Sequence, residues 1–335
     1  HVAVVKDGDS GTNVTFYLDG VNDGTAIAGT SGANGLKRIG ARTEATDMFF
    51  YGVIDDLRIS SVARSAEWIQ TEFNNQKSPA AFYTVGIEET QGTTANPFNN
   101  GWSYRKRITI DSAQVPSDLT NFPILISTTD PDLTAAQADF NDILFTAADG
   151  TTKLDHEIEK YNSSTGEIVV WVEVRSLSST NNTDLYLYYG NANCVDQRNP
   201  TGAGVWEPNY AGVWHLKETS GDHSGSTWNY HTGSPQGGLN QDITGPIDGA
   251  DYFNGTDAYV DLSHAESLNF GTDDFTVEAW VKSTQAQVFD EYPKILEKFV
   301  DSPSNQGYRL VLCSSDVSPY PLFEIWSGGS GEGAE

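Results

Sequence analysis

The sequence predicts an all-β protein of two jelly-roll or β-sandwich domains with one short helix. Three observations carry this. Gly, Thr, Ser, Asn and Asp are abundant, with 32 glycines and a single methionine, a composition of many turns. Short segments alternate apolar and polar residues, as in Phe275-Thr276-Val277-Glu278-Ala279-Trp280-Val281-Lys282, the period of a strand with one buried face. No long Ala/Leu/Glu/Lys periodicity competes with them.

At 335 residues the chain has room for two domains. Acidic residues number 46 against 19 basic ones. That balance excludes nucleic acid, whose phosphates need a basic surface, and an anionic membrane surface. No run approaches the ~20 apolar residues of a membrane helix, so no membrane insertion is expected. The acidity fits a soluble extracellular or cell-surface protein and leaves calcium open as a ligand, beside the plainer reading of a solvated surface. His1 leads straight into Val2-Ala3-Val4-Val5 and reads as a mature or excised end. Two cysteines, Cys194 and Cys313, exclude a disulfide framework. One bridge between them, or two thiols, remain open.

Residues 1–89 begin with a strand at Val2–Lys6 and a tip at Asp7-Gly8-Asp9-Ser10-Gly11. The tip imitates part of a calcium loop but lacks its closing acidic residue, so it reads as a hairpin. Val14–Leu18 ends at Asp19-Gly20, a strong turn signal. Leu36–Gly40 is short, and Phe49–Ile59 is the long strand of this segment. Ser65 caps a helix in which Ala66, Ile69 and Phe73 make one apolar stripe for the sandwich. Phe82–Ile87 closes the segment. Residues 90–100 have no apolar period and read as a linker.

Residues 101–205 form a separate block. Its strands are Trp102–Ile110, Phe122–Ile126 with Pro123 near the start, Asp142–Phe145, His156–Tyr161, Glu167–Val174 and Thr183–Asn191. Residues 210–335 add Gly212–Leu216, a loop containing Asp222-His223-Ser224-Gly225, a hairpin over Tyr252–Val260, Phe275–Lys282, Tyr308–Leu312 and Leu322–Trp326.

Two resemblances follow from these motifs. The His-Val-Ala-Val-Val strand, the Phe-Tyr-Leu-Asp-Gly turn, Gly52-Val53-Ile54-Asp55-Asp56-Leu57-Arg58-Ile59 and the Ser-Ala-Glu helix together resemble the closing half of a laminin-G-like, concanavalin-A-like jelly roll. The helix is then the short one that follows that domain's closing strand. Residues 210–335 resemble the opening half of the same domain. The Trp-Ser-Tyr-Arg-Lys opening, Phe-Pro-Ile-Leu-Ile, Trp-Val-Glu-Val and Leu-Tyr-Leu-Tyr-Tyr-Gly-Asn of 101–205 are similar to domain of unknown function 2341. That resemblance implies a secreted or surface protein with no established activity.

The laminin-G-like domain is thus cut in two, its halves reversed around another domain. Neither half alone buries both faces of its strands. Head-to-tail completion between copies, growing a filament or stalk, is favoured over closure within one chain. The leading function is a non-enzymatic structural protein; the alternative is a calcium-dependent carbohydrate-binding adhesin or an accessory module of a polysaccharide-degrading system.

Site candidates are few. The resemblance implies calcium held by Asp222 and Asp56, with Asp55 as the alternative. The competing assignment has Asp222 capping a turn, and Asp55 and Asp56 facing solvent and Arg58. Glycan binding needs exposed aromatics, for which Trp228, Tyr230 and Trp326 are available. Glu157-Ile158-Glu159 is the nearest approach to a hydrolase pair, yet it lacks a third carboxylate and reads as a strand edge. His156, His215, His223 and His231 are scattered and read as structural. Sequons at Asn13, Asn162, Asn181 and Asn254 are candidate glycosylation sites.

Overall fold

The computed structural model describes residues 1–8, 13–26, 36–42, 47–90, 101–198, 203–206, 208–262, 266–284, 292–300, 306–314 and 319–327. They divide into two compact units, one of residues 1–66 with 208–335 and one of residues 67–207.

In chain order the strands of the N-terminal segment are β1 (Val2–Lys6), β2 (Val14–Leu18), β3 (Val21–Ala26), β4 (Leu36–Ile39) and β5 (Tyr51–Ser60). Helices α1 (Ala66–Lys77) and α2 (Pro79–Phe82) follow. The middle strands are β6 (Tyr83–Thr90), β7 (Tyr104–Ile110), β8 (Phe122–Thr129), β9 (Leu144–Ala147), β10 (Lys153–Leu154), β11 (His156–Asn162), β12 (Glu167–Val174) and β13 (Thr183–Tyr189), then α3 (Ala203–Trp206). The C-terminal segment holds β14 (Tyr210–Trp214), β15 (Ser234–Gln236), β16 (Asn240–Thr244), β17 (Gly249–Asn254), β18 (Tyr259–Asp261), β19 (Phe275–Ser283), β20 (Lys294–Val300), β21 (Gln306–Ser314) and β22 (Pro319–Ser327).

The first unit is a sandwich woven from both ends of the chain. Its eight-stranded sheet runs β16-β17-β5-β19-β1-β2-β3, with β14 also on β5, and its six-stranded sheet runs β15-β18-β4-β20-β21-β22. β5 is central. On one edge it pairs with β19, Trp280 opposite Asp55; on the other it pairs with β17 and β14. β1 lies antiparallel on β19 with Val4 opposite Val277, and β4 sits between β18 and β20. One core joins Val4, Ile54 and Ile59 to Trp214, Phe253, Val277 and Leu310.

In this structure residues 1–66 and 208–335 complete one sandwich within the chain, where the sequence favours completion between copies. The strand edges that a neighbouring copy would have to supply are supplied by the chain itself. β5 is also buried along most of its length, from Ile54 to Ser60, which meets the demand that no sandwich half meets alone.

The register also carries a bulge. Arg58 faces Glu278 and Asp55 faces Trp280, so Asp56 and Leu57 share one position opposite Ala279. Asp56 takes φ 49° there, a conformation open to Asp but uncommon for other side chains. The bulge lets Ile54, Leu57 and Ile59 all enter the core although a strict period of two allows only some of them.

The second unit packs a five-stranded sheet, β10-β9-β13-β7-β6, with a three-stranded sheet, β11-β12-β8. Its boundary differs from the one read in the sequence. β6 pairs with β7, so residues 67–89 belong to this unit. The apolar face of α1 likewise docks here. Trp68 meets Phe122 edge-on at 4.8 Å, and the Asn75 side chain brackets the Leu125 backbone with bonds of 2.9 and 2.7 Å. Ile69 and Phe73 are buried as the stripe required, but Trp68 is their companion and Ala66 is exposed. Residues 91–100 of the expected linker lie outside the described residues. The expected Tyr252–Val260 hairpin is a crossover instead, β17 in the large sheet and β18 in the small one.

Candidate functional site

A cavity of about 620 Å³ opens where the two chain segments meet in the first unit. The N-terminal segment contributes His1, Asp19, Val53 and Asp55, and the C-terminal segment contributes residues 243–246 and 280–282. Alternation on β5 and β19 places Val53, Asp55, Trp280 and Lys282 on the face away from the core, because Ile54 and Ala279 point into it. Trp280 is half-buried, and the His1 ring meets it edge-on at 5.3 Å. Asp55 is buried and accepts the Ile247 N–H at 3.3 Å. Asp19 and Lys282 are exposed at the rim. An aromatic face, two carboxylates and an ammonium thus converge on one concave space.

Beside it lies a buried layer of charge. Arg58 binds Asp56 at 2.5 Å, and Asp56 also holds His215 Nδ1 at 3.0 Å. Burial by itself raises the Asp56 pKa, but Arg58 and His215 outweigh it and hold the carboxyl below its ordinary range. His1 Nε2 lies 3.9 Å from Glu278. A second network surrounds His223, whose Nδ1 is 2.9 Å from Glu218 and whose Nε2 is 2.9 Å from Asp251. Burial would lower the His223 pKa; the two carboxylates reverse this and push it up to about 9.

Of the calcium candidates, Asp56 is already paired on both oxygens, one on Arg58 and the other on His215, and a hard cation would have to displace a guanidinium to reach it. Asp222 is exposed; its neighbour His223 is the buried, doubly bridged residue of that loop. Asp55 faces the cavity and not solvent at large. Among the described residues no three His, Cys, Asp or Glu side chains converge as metal ligands.

Glu157 and Glu159 are also spent. Glu157 accepts the Trp206 indole N–H at 2.5 Å, and Glu159 accepts that of Trp171 at 2.8 Å. The two indoles pack on each other at 5.4 Å, so the two carboxylates fasten α3 and β12 to β11. His156 is buried against Phe145, and burial pushes its pKa down to about 4.

Of the two cysteines left open between a bridge and thiols, Cys194 is a free thiol donating to the Val195 carbonyl at 3.1 Å; the Cys313 side chain lies outside the described residues. Of the sequons, Asn162 and Asn181 are exposed. Asn13 is buried with its amide on the Gly8 carbonyl, and Asn254 is engaged on both amide atoms in its own turn. Neither offers a free amide nitrogen to a glycan. Trp228 and Tyr230 are exposed, and the Trp326 side chain lies outside the described residues. Trp280, Lys282 and Asp19 were not anticipated: only the pairing of β5 with β19 and of β1 with β2 gathers them.

The first unit is thus a β-sandwich of an eight-stranded and a six-stranded sheet, and the second unit has a five-stranded and a three-stranded sheet of its own. Residues 1–70 match the family model described as the concanavalin A-like lectin/glucanases superfamily. Residues 139–230 match that of the domain of unknown function DUF2341. The second match begins later than the block read at 101–205 and runs past β14 to residue 230. No curated protein and no solved structure matches the chain.

Proposed function

We propose that the chain is a non-catalytic adhesive module of a secreted or cell-surface protein, and that its laminin-G-like sandwich binds a carbohydrate in the seam cavity. The cavity carries this reading. Its volume of about 620 Å³ lies within the roughly 300–1,000 Å³ of small-ligand sites. Trp280 offers a flat apolar face to a sugar ring, and Asp19, Asp55 and Lys282 offer acceptors and a donor to its hydroxyls. A net charge of −27 disfavours a polyanionic glycan, so a neutral one is expected. Tying up Glu157 and Glu159 in indole hydrogen bonds supports the non-catalytic part. The cis-completed sandwich leaves self-assembly out of the proposal.

A glycan array probed with the full chain is expected to show saturable binding of neutral oligosaccharides, unchanged by chelator. Trp280→Ala should weaken it about tenfold, about 1.4 kcal/mol. Undiminished binding by Trp280→Ala would reject the cavity as the site, and loss on chelation would restore the metal.

A further inference from the structure

We propose a second carbohydrate contact outside the cavity, an aromatic platform formed by Trp228 and Tyr230 that takes the surface of a neutral polysaccharide. Trp228 is 59% exposed and Tyr230 55% exposed. The other exposed large apolar side chains among the described residues are Ile87, Val195 and Tyr292, and Leu18 with Val21, which face each other across the β2–β3 pair; of these only Tyr292 is aromatic. In the 223–233 loop, two large rings instead stand one residue apart in a single turn.

The turn is braced throughout. Tyr230 N–H closes it on the Thr227 carbonyl at 3.0 Å, and Ser226 N–H is tied to Val213 at 2.9 Å. Trp214 Nε1 donates to the His231 carbonyl at 2.7 Å, and the two rings stack at 6.3 Å. His231 Nε2 lies 2.6 Å from Ser267 Oγ. Gly225 passes so close to His231 that a Cβ would lie 2.6 Å from its carbonyl oxygen. Tyr230 itself takes φ 47°, a left-handed conformation that costs a non-glycine residue energy and persists where the surroundings impose it.

A strained, anchored turn that leaves its two rings in water has paid the ordering cost of binding before any ligand arrives. Polar residues neighbour the rings in the chain: Asn229 stands between them, its amide 3.5 Å from the Ala211 carbonyl, and His231 follows Tyr230, held to Ser267 Oγ. A pyranose matches that mixture, with an axial C–H face for each ring and a rim of hydroxyls. A protein partner would call for a broader apolar patch than two rings supply. The platform shares no residue with the seam cavity.

The test is retention of the full chain on amorphous cellulose, chitin and insoluble β-1,3-glucan, with soluble oligosaccharide binding measured in parallel. The Trp228→Ala/Tyr230→Ala double variant should lose at least about tenfold in retention on the polysaccharide that binds wild type. Its melting temperature and oligosaccharide binding should stay those of wild type, while Trp280→Ala should keep the retention. Equal retention of double variant and wild type, or no retention of wild type on any of the three, overturns the platform. Retention lost only in the double variant, with no oligosaccharide bound by any form, keeps the platform and rejects the cavity.

Discussion

Arg58→Met is expected to destabilise the first unit by about 3–5 kcal/mol, the cost of breaking a buried ion pair by removing one partner. Arg58 is 1% exposed and Asp56 3% exposed. The pair is the hub where the chain ends meet. Arg58 and Asp56 come from β5, His215 follows β14, and Glu278 faces Arg58 from β19. Without the guanidinium, Asp56 and Glu278 both stay buried with the surrounding positive charge reduced. Denaturant unfolding of wild type, Arg58→Met and the Arg58→Met/Asp56→Asn double variant checks this. The double variant should recover part of the loss, because the stranded carboxylate is gone. A single-variant loss under about 1 kcal/mol, the scale of an exposed pair, would contradict a buried hub.

The second large effect is an alkaline loss of stability governed by His223. Its folded pKa, about 9, lies above the ordinary value of about 6.5. The folded state therefore binds a proton that the unfolded state releases. The stabilisation is complete below pH 6.5 and is lost as pH rises towards 9, on the order of 3 kcal/mol in all. Lys37 and Lys298, pushed down to about 8 by burial, act in the opposite sense above pH 8. The slope is therefore cleanest between pH 6.5 and 8. His156, pushed down to about 4 by burial, contributes its slope on the acid side and does not intrude. Denaturant midpoints of the first unit should fall across this window in wild type and run flat in His223→Gln. An unchanged slope in the variant would assign the titration elsewhere.

The legibility of this fold in the sequence divides along a physical line. Strands whose residues alternate apolar and polar, such as Phe275–Ser283, were readable from that period, but not the burial of their polar face, where Thr276 and Glu278 are also enclosed. The bulge at Asp56 was present as a broken period, since Ile54, Leu57 and Ile59 cannot all share one face of a regular strand. Which sandwich α1 joins was not readable: its stripe of Ile69 and Phe73 states only that a face is buried. The partner was decided by Trp68 on Phe122 and by the pairing of β6 with β7. Tyr252–Val260 misled for a related reason, because a turn between two strands is compatible with a hairpin or with a step between sheets.

The site was less legible than the fold. Asp55 was a candidate, but for a metal; it lines the cavity through its place opposite Trp280, a pairing across more than two hundred positions of sequence. Asp56 was a calcium candidate because the resemblance implied it; Arg58 was already its partner in the competing reading, and His215 joins it only once β14 lies on β5. Trp228 and Tyr230 were available as aromatics, and their exposure needed the turn that holds them.

The claim on which the cavity depends is that residues 1–66 and 208–335 complete one sandwich within one chain. Val53 and Lys282 are cross-strand neighbours on β5 and β19, within the separation a disulfide spans. The direct measurement is to co-fold equal amounts of unlabelled and nitrogen-15-labelled Val53→Cys/Lys282→Cys chains, oxidise them dilute, and read the bridged peptides by mass spectrometry. Completion in cis predicts monomers of about 36 kDa, close to the 36.4 kDa of the unaltered chain, and bridged peptides that are wholly light or wholly heavy. Mixed light–heavy peptides in half of the bridges, in covalent dimers or ladders, would show that one chain completes the next.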